Sequence, residues 1–311
     1  MKTGSVVIFN NYLSFGLANF QGEISALFAA LLWAISSVLY GRLGQTMPPI
    51  QLNLTKGVIA IALLSLTIFI SGDLFPVFSP VSLCLLLLSG VLGIGVGDTA
   101  FFVALNCLGA RRALLMETLA PPMTAVTALI FLQERLNASA WCGILLTIIG
   151  VAWVVTERVP DTSIQTPTNI SRGIAFGLLA AFALALAAVM ARAAFAHTTI
   201  SPLWAALLRL SAGVFSLLPW IRWRQPGGRR LPSKRVMATV FFAAFCGTYL
   251  GVWLQQTAIK LTAVGIASTL LQTSPLFILP IAFWMGEKIS WRAIAGVIIA
   301  IAGVGVLFYL R

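Results

Sequence analysis

Ten long apolar runs constrain what this sequence can fold into. Each run has about 20 residues, the length that a helix needs to cross the hydrocarbon core of a bilayer. Backbone polar groups in lipid must be satisfied within the segment, and runs this long and continuous are unlike barrel strands. We therefore predict an all-α integral membrane fold with ten transmembrane helices, at 24–41, 50–71, 81–105, 110–132, 139–156, 171–194, 202–221, 236–258, 263–285 and 291–310.

The composition agrees with a lipid environment. Of the 311 residues, 59% are hydrophobic and only 9% are charged, and the mean hydropathy is +0.99. These values lie outside the usual range of soluble domains. We predict a multi-pass protein of the plasma (inner) membrane that is surrounded by membrane lipids.

The net charge of +12 does not indicate a nucleic-acid partner. A nucleic-acid site needs a basic face interleaved with aromatic side chains, whereas six of the twenty basic residues lie in one short loop, 222–235. In a membrane protein such a cluster is an orientation signal and an anchor for anionic headgroups.

Metal and nucleotide signatures are missing from the sequence. Its four cysteines are scattered without a CxxC pair, and its single histidine is His197. We therefore predict neither a metal site nor a cofactor, and interpret the cysteines as small packing residues. No GxxxxGK[ST] loop occurs either, so ATP is not the expected direct energy source.

The sequence repeats itself at a shift of 153–154 residues, about half its length. The matching positions include Pro121 with Pro275, Glu134 with Glu287, Gly143 with Gly296, Gly150 with Gly303, and Lys56 with Arg209. We predict an N-terminal tail (1–23), a first five-helix repeat (24–156), a linker rich in Thr, Pro and Ser (157–170), and a second five-helix repeat (171–311). Because five spans is an odd number, the second copy would enter the membrane inverted, with a central site between the halves.

Several motifs in the two halves resemble the EamA domain of the drug/metabolite transporter superfamily. In the first half they are Ala-Leu-Asn-Cys-Leu-Gly-Ala-Arg-Arg-Ala at 104–113, Leu-Ala-Pro-Pro at 119–122 and Phe-Leu-Gln-Glu-Arg-Leu at 131–136. In the second half they are Ala267-Ser268, Ser274-Pro275 and Gly286-Glu287-Lys288. The resemblance implies ten helices and export or exchange of small metabolites, amino acids or drugs. One departure concerns the small multidrug resistance branch, which carries a glutamate in its first helix; the first span here has no carboxylate.

The orientation of the termini is left open by two opposed arguments. Thirteen basic residues lie at the span ends on the face of the odd-numbered connections, against five on the face of the termini. The positive-inside rule then places both termini outside. The resemblance implies termini in the cytoplasm.

Three charges of the first half are predicted to share one depth in the membrane. Asp98 and Glu117 lie at equal distances from the turn between spans three and four, and Lys56 lies seven residues into span two. Ionisable groups in hydrocarbon face a cavity or a partner because isolation is costly. One interpretation is a structural ion triad. The other is a site where an acid binds a proton or a substrate cation.

Arg209 has no obvious acidic partner in the second half. The positions that match Asp98 and Glu117 there are Val252 and Leu271. Arg209 is therefore either a fork for a substrate carboxylate or phosphate or a side chain that snorkels to interfacial phosphates.

Further polar and aromatic residues are candidates for the lining of the central site. They are Trp33, Ser36, Ser37, Tyr40, Thr118, Tyr249, Trp253, Gln256 and Gln272. The alternative for each is packing or a hydrogen bond between helices.

These features favour a secondary transporter that exports or exchanges small organic metabolites such as amino acids, with protons as a second candidate ligand. A cationic drug exporter is the alternative.

Gly95-Val96-Gly97-Asp98 matches the GxGD string of intramembrane aspartyl proteases, which need two adjacent carboxylates. The other two aspartates, Asp73 and Asp161, lie in predicted loops, Glu117 would be an unusual substitute, and the proline-alanine-leucine signature is missing. An enzyme is therefore not expected. A non-transporting scaffold is a further alternative.

Overall fold

The computed structural model describes residues 20–43, 47, 49–74, 76, 79–108, 110–156, 169–196, 198–221, 234–284 and 290–309. Most of the predicted tail and linker, the core of the basic loop at 222–233, and Glu287 of the repeat motif lie outside these ranges. All regular secondary structure in the described part of the chain is helical. The predicted all-α fold is therefore confirmed.

Ten helices follow one another along the described residues, close to the predicted spans. Nine of these helices are long and apolar enough to span a membrane, and the shorter apolar stretch Val264–Pro280 completes the set. The helices are α1 (Gln21–Leu43), α2 (Pro49–Ser71), α3 (Pro80–Gly90, Val91–Gly97 and Asp98–Leu108), α4 (Ala110–Glu117 and Ala120–Phe131), α5 (Ala138–Thr156), α6 (Ile170–Ala196), α7 (Pro202–Ile221), α8 (Lys234–Ala243, Ala244–Leu250 and Gly251–Leu261), α9 (Val264–Leu271 and Ser274–Trp284) and α10 (Trp291–Tyr309).

Irregular helical segments recur at equivalent places in the two halves. The middle segment of α3, Val91–Gly97, and that of α8, Ala244–Leu250, are both π-helical. The helices α4 and α9 are both interrupted, after Glu117 and after Leu271. Prolines account for these interruptions because Pro121, Pro122 and Pro275 supply no N–H to the preceding turn. The repeat is thus visible in the local structure.

The two halves interleave in the bundle. The first helix of each half packs against helices of the other half: α1 contacts α8 and α9, and α6 contacts α3 and α4. The second helices, α2 and α7, pack against each other. This exchange brings α1, α2, α3 and α4 around one centre with their counterparts α6, α7, α8 and α9.

The last helices of the two halves, α5 and α10, form a separate close pair. A Cβ on Gly150 would collide with the backbone N of Ala300, and one on Gly303 would collide with the backbone N of Thr147. Gly143 and Gly296 make similar close approaches. In a membrane the hydrophobic effect does not drive helices together, so they associate largely through van der Waals packing. Small residues allow this packing because they let the helix backbones approach closely.

Replacing Gly150 by alanine should destabilise the protein through this interface. Overpacking a close contact costs roughly 1–3 kcal/mol, whereas alanine alone would favour the helix by about 1 kcal/mol. Gly305 on α10 is the matched control, since nothing lies within 4 Å of its would-be Cβ. Thermal unfolding in detergent should show a lower melting temperature for Gly150→Ala and an unchanged or higher one for Gly305→Ala. Equal melting of the two variants would contradict the proposed packing.

Candidate functional site

A cavity of about 380 Å³ lies at the centre of the interleaved bundle. Its wall draws on both halves, with side chains from α1, α2, α3, α4, α6, α7, α8 and α9. Several lining residues are partners in the sequence repeat. These pairs are Gly93 with Gly247, Asp98 with Val252, Glu117 with Leu271, Ala120 with Ser274, and Lys56 with Arg209. The cavity therefore has the pseudo-symmetry of the repeat but not its chemistry, because the acids come from one half alone.

Nine of the thirteen candidate residues line this cavity. They are Trp33, Ser36, Ser37, Tyr40, Lys56, Asp98, Glu117, Arg209 and Gln272. The structure thus brings all four predicted membrane charges to one space. Their roles in binding stay predictions.

The other four candidates lie outside the cavity lining. Three of them are on α8, where the lining residues are instead Thr248, Val252 and Gln255. Each predicted residue, Tyr249, Trp253 and Gln256, is displaced by one position. A residue on a helix is rotated by about 100° from its neighbour, so this displacement moves a side chain away from the cavity. The π-helical segment Ala244–Leu250 contains Tyr249 and precedes Trp253 and Gln256; it changes the rotation of these side chains, and the sequence does not reveal it.

The residues outside the lining have contacts of their own. The hydroxyl of Tyr249 lies 2.7 Å from Oγ1 of Thr67, and its ring packs near that of Trp253 with centroids 6.1 Å apart. Thr118 is buried and donates its hydroxyl to the carbonyl oxygen of Leu115 at 2.7 Å. Gln256 is fully buried. The contacts of Tyr249, Trp253 and Thr118 fit the alternative interpretation as packing or hydrogen-bonded residues, whereas the side-chain amide of Gln256 has no hydrogen-bond partner among the described residues.

Polar lining residues that the sequence analysis missed are Asn53, Thr248, Gln255, Ser268 and Ser274. Two of them carried a signal. Asn53 lies three residues before Lys56, which puts both on the same helical face, and Ser274 is the repeat partner of Ala120. The other three had no such marker.

The acidic part of the cavity is formed by Asp98 and Glu117. Both carboxylates are half-buried, and within the described residues neither makes a hydrogen bond or an ion pair within 4.0 Å. The charges of Asp98 and Lys56 attract each other, and those of Glu117 and Asp98 repel each other. The Lys56 ammonium lies over the Tyr40 ring, 5.3 Å from its centroid. Lys56 thus attracts Asp98 at a distance, and no described cation makes an ion pair with Glu117.

The basic part of the cavity is the guanidinium of Arg209. This side chain is 5% exposed, and its Nε and Nη1 atoms have no hydrogen-bond partner among the described residues. Gly93 lies beside it, since a Cβ there would be in ordinary contact with Nη2 at 3.5 Å. Because Arg209 is buried inside the bundle, the snorkelling interpretation is wrong. An unpartnered buried guanidinium is costly, and it fits a site for an anionic group.

Both interrupted helices have their breaks at the cavity. Glu117 and Ala120 of α4, and Leu271, Gln272 and Ser274 of α9, all line it. Pro121 cannot donate to the carbonyl oxygen of Glu117, and the side-chain amide of Gln272 donates to that oxygen instead, at 3.2 Å. Discontinuous helices whose ends meet at a central cavity are typical of substrate sites in secondary transporters.

Two five-helix repeats, of which the first four helices each line a charged central cavity, are the architecture expected of a membrane transporter. The sequence comparison agrees, since residues 20–156 and 171–309 each match the EamA-like transporter family. The chain belongs to this family. The resemblance seen in the sequence motifs is thereby confirmed over both halves.

The chain is also similar to a curated protein and to a solved structure. The chain is similar to the uncharacterized transporter YyaM of Bacillus subtilis (strain 168), with 26% identity over 221 residues, which cover 69% of this chain and 70% of that one. It is also similar to a solved structure titled "Crystal structure of protein", with a TM-score of 0.74 and 18% identity over 92% of this chain and 95% of that one. At that identity the likeness supports the fold alone.

The acidic pair generates a prediction about coupling. Two nearby carboxylates in a low-dielectric setting do not both ionise easily, so one of them is a candidate carrier of the driving proton. Transport by Asp98→Asn and Glu117→Gln, measured from about pH 5.5 to 8.5 across the usual titration range of perturbed acids, should lose the pH dependence of the wild type. The protein should remain folded and inserted.

A structural triad would behave differently in the same series. The single acid variants would then lose expression or thermal stability, and adding Lys56→Met would restore it. Normal folding together with the wild-type pH profile in both single variants would exclude a coupling role for the pair.

Proposed function

We propose that this protein is a secondary transporter that exports or exchanges small organic metabolites, with amino acids as the favoured class. The observation that carries the proposal is a pair of opposite, unpaired charges on one cavity. Arg209 presents guanidinium nitrogens without a partner, and Glu117 presents a carboxylate that makes no ion pair within the described residues. Both residues line the same space.

The charges divide the cavity into two poles. Lys56 and Asp98 carry opposite charges that attract each other, so Arg209 and Glu117 are the groups that we assign to a ligand. A guanidinium binds a carboxylate through two parallel N–H bonds, and a carboxylate binds an ammonium group. A small zwitterion would satisfy both poles at once and leave no buried charge without a partner.

The size and lining of the cavity support a small solute. At about 380 Å³ the cavity is near the lower end of the range for small-molecule sites. Trp33 and Tyr40 on α1 offer aromatic surface, and Gln255, Ser268 and Ser274 offer neutral hydrogen-bonding groups. The plasma membrane is the proposed location.

A cationic drug exporter is the second candidate. The acids Asp98 and Glu117, close to aromatic Trp33 and Tyr40, favour it, because a cation binds well between carboxylates and ring faces. In this case Arg209 would play no part in recognition. The two candidates therefore differ in whether the guanidinium matters.

A counterflow assay in proteoliposomes tests the proposal directly. We expect zwitterionic amino acids to exchange faster than matched amines without a carboxylate. Arg209→Lys keeps the charge but loses the planar fork, so it should reduce this exchange several-fold, and Arg209→Gln should reduce it further. Arg172→Gln is the matched control, because Arg172 is exposed on α6 and lies against Phe176.

Each other outcome has a defined meaning. Exchange of amines alone, unchanged in Arg209→Gln, would support the cationic drug exporter. The failure of every organic solute to exchange, with purified and folded protein, would contradict a transport function and favour the scaffold.

A further inference from the structure

An ion pair outside the cavity joins the two halves. Arg192, near the end of α6, places its Nε 2.5 Å from Oε1 of Glu134, in the connection between α4 and α5. Within the described part of the chain this is the one ion pair closer than 4.0 Å. The proposed solute site does not use either residue. The pair therefore has another role in the molecule.

Each member of the pair also holds the end of a helix. Arg192 donates from Nη1 to the carbonyl oxygens of Ile259, at 3.0 Å, and Lys260, at 2.5 Å, in the last turn of α8. The other Glu134 oxygen, Oε2, accepts from the backbone N–H of Val264, the first residue of α9, at 3.0 Å. Such terminal groups have no partner inside their own helices. A cation at a helix C-terminus and an anion at an N-terminus also suit the helix dipoles.

The corner that is held in this way forms part of the cavity wall. The residues on its two sides, Ile259 and Val264, both line the cavity. Between them Thr262 is fully buried, and a Cβ on Gly22 of α1 would collide with its hydroxyl. The corner is therefore closely packed against α1, and a shift of the corner would move this part of the wall.

The same corner lies at one membrane face. Lys260 donates its ammonium to the carbonyl oxygen of Ile200, in the connection between α6 and α7, at 2.7 Å. Connections α4–α5, α6–α7 and α8–α9 share a face because each helix crosses the membrane once. The corner and its ion pair thus lie on the side of the cavity toward that face.

We propose that Glu134 and Arg192 form a latch that closes the cavity toward this face, and that transport requires the latch to open. Charge-assisted hydrogen bonds hold the closed form. The two side chains are 18% and 26% exposed, so water can hydrate them when they separate. Alternating access in an inverted repeat needs contacts that form in one state and break in the other. The latch adds a moving part to the proposed transport and does not depend on which solute is carried.

Accessibility of a cavity cysteine tests the latch. Ser268→Cys places a thiol on the cavity in a chain whose four native cysteines are replaced by alanine. Thr199→Cys, exposed in the α6–α7 connection, identifies the latch face of membrane vesicles by its rapid reaction with an impermeant maleimide. From that face, Glu134→Gln and Arg192→Gln should each speed the labelling of Ser268→Cys several-fold. Arg172→Gln, on the same helix as Arg192, should leave the labelling unchanged.

Exchanging the two charges separates the latch from a simple ion pair. Glu134→Arg combined with Arg192→Glu restores attraction between the side chains. It also directs a cation at the Val264 N–H and an anion at the Ile259 and Lys260 carbonyls, so labelling should stay fast. Arg192→Lys keeps the positive charge but loses the planar guanidinium, so it should give a labelling rate between those of the wild type and Arg192→Gln. This variant replaces the glutamine variants in the test if they do not fold. Wild-type labelling rates in the folded single variants, or full closure in the exchanged pair, would overturn the proposal, whereas loss of solute exchange alone would bear on the transport function.

Discussion

Hydrocarbon offers no hydrogen-bond partner to a polar group, and this constraint governs both the fold and the site. Backbone groups must be paired within each segment, so the described chain is helical throughout its regular structure. The same cost applies to side chains. Lys56, Asp98, Glu117 and Arg209 are tolerated because they meet at one central cavity and do not face lipid. The places where the helices become irregular, in α3, α4, α8 and α9, are also the places where they reach this cavity.

Duplication explains the shape of the cavity, and divergence explains its chemistry. The repeat places equivalent positions of the two halves on the same cavity, as with Glu117 and Leu271 or Asp98 and Val252. Only the first half carries acids at these positions. The second half contributes the guanidinium of Arg209 where the first has the ammonium of Lys56. A symmetric scaffold thereby presents an asymmetric set of charges, which is what a polar solute with two different ends requires.

The sequence predicted most of the fold and part of the site, and the limits have physical reasons. Long apolar runs define spans closely, so the predicted 202–221 coincides with α7 (Pro202–Ile221). A charged residue in a long apolar run is easily recognised in the sequence, which is why Arg209 was a candidate. The rotation of a helix about its axis is harder to predict, because an error of one residue changes which side chain faces the cavity. Gln255 lines the cavity, whereas its neighbour Gln256 is buried outside the lining. The Glu134–Arg192 pair was not predicted, since it depends on how a connection meets a helix 58 residues further along the chain.

The central claim is that the transported solute occupies the cavity between the two halves. Protection of a cysteine at Ser268, which lines the cavity, measures this most directly. The solute that exchanges in proteoliposomes should slow the alkylation of Ser268→Cys in a concentration-dependent way and leave that of Thr199→Cys, on an exposed connection, unchanged. In Arg209→Gln the protection should need a higher solute concentration. Alkylation of Ser268→Cys at the same rate with and without saturating solute would contradict the account.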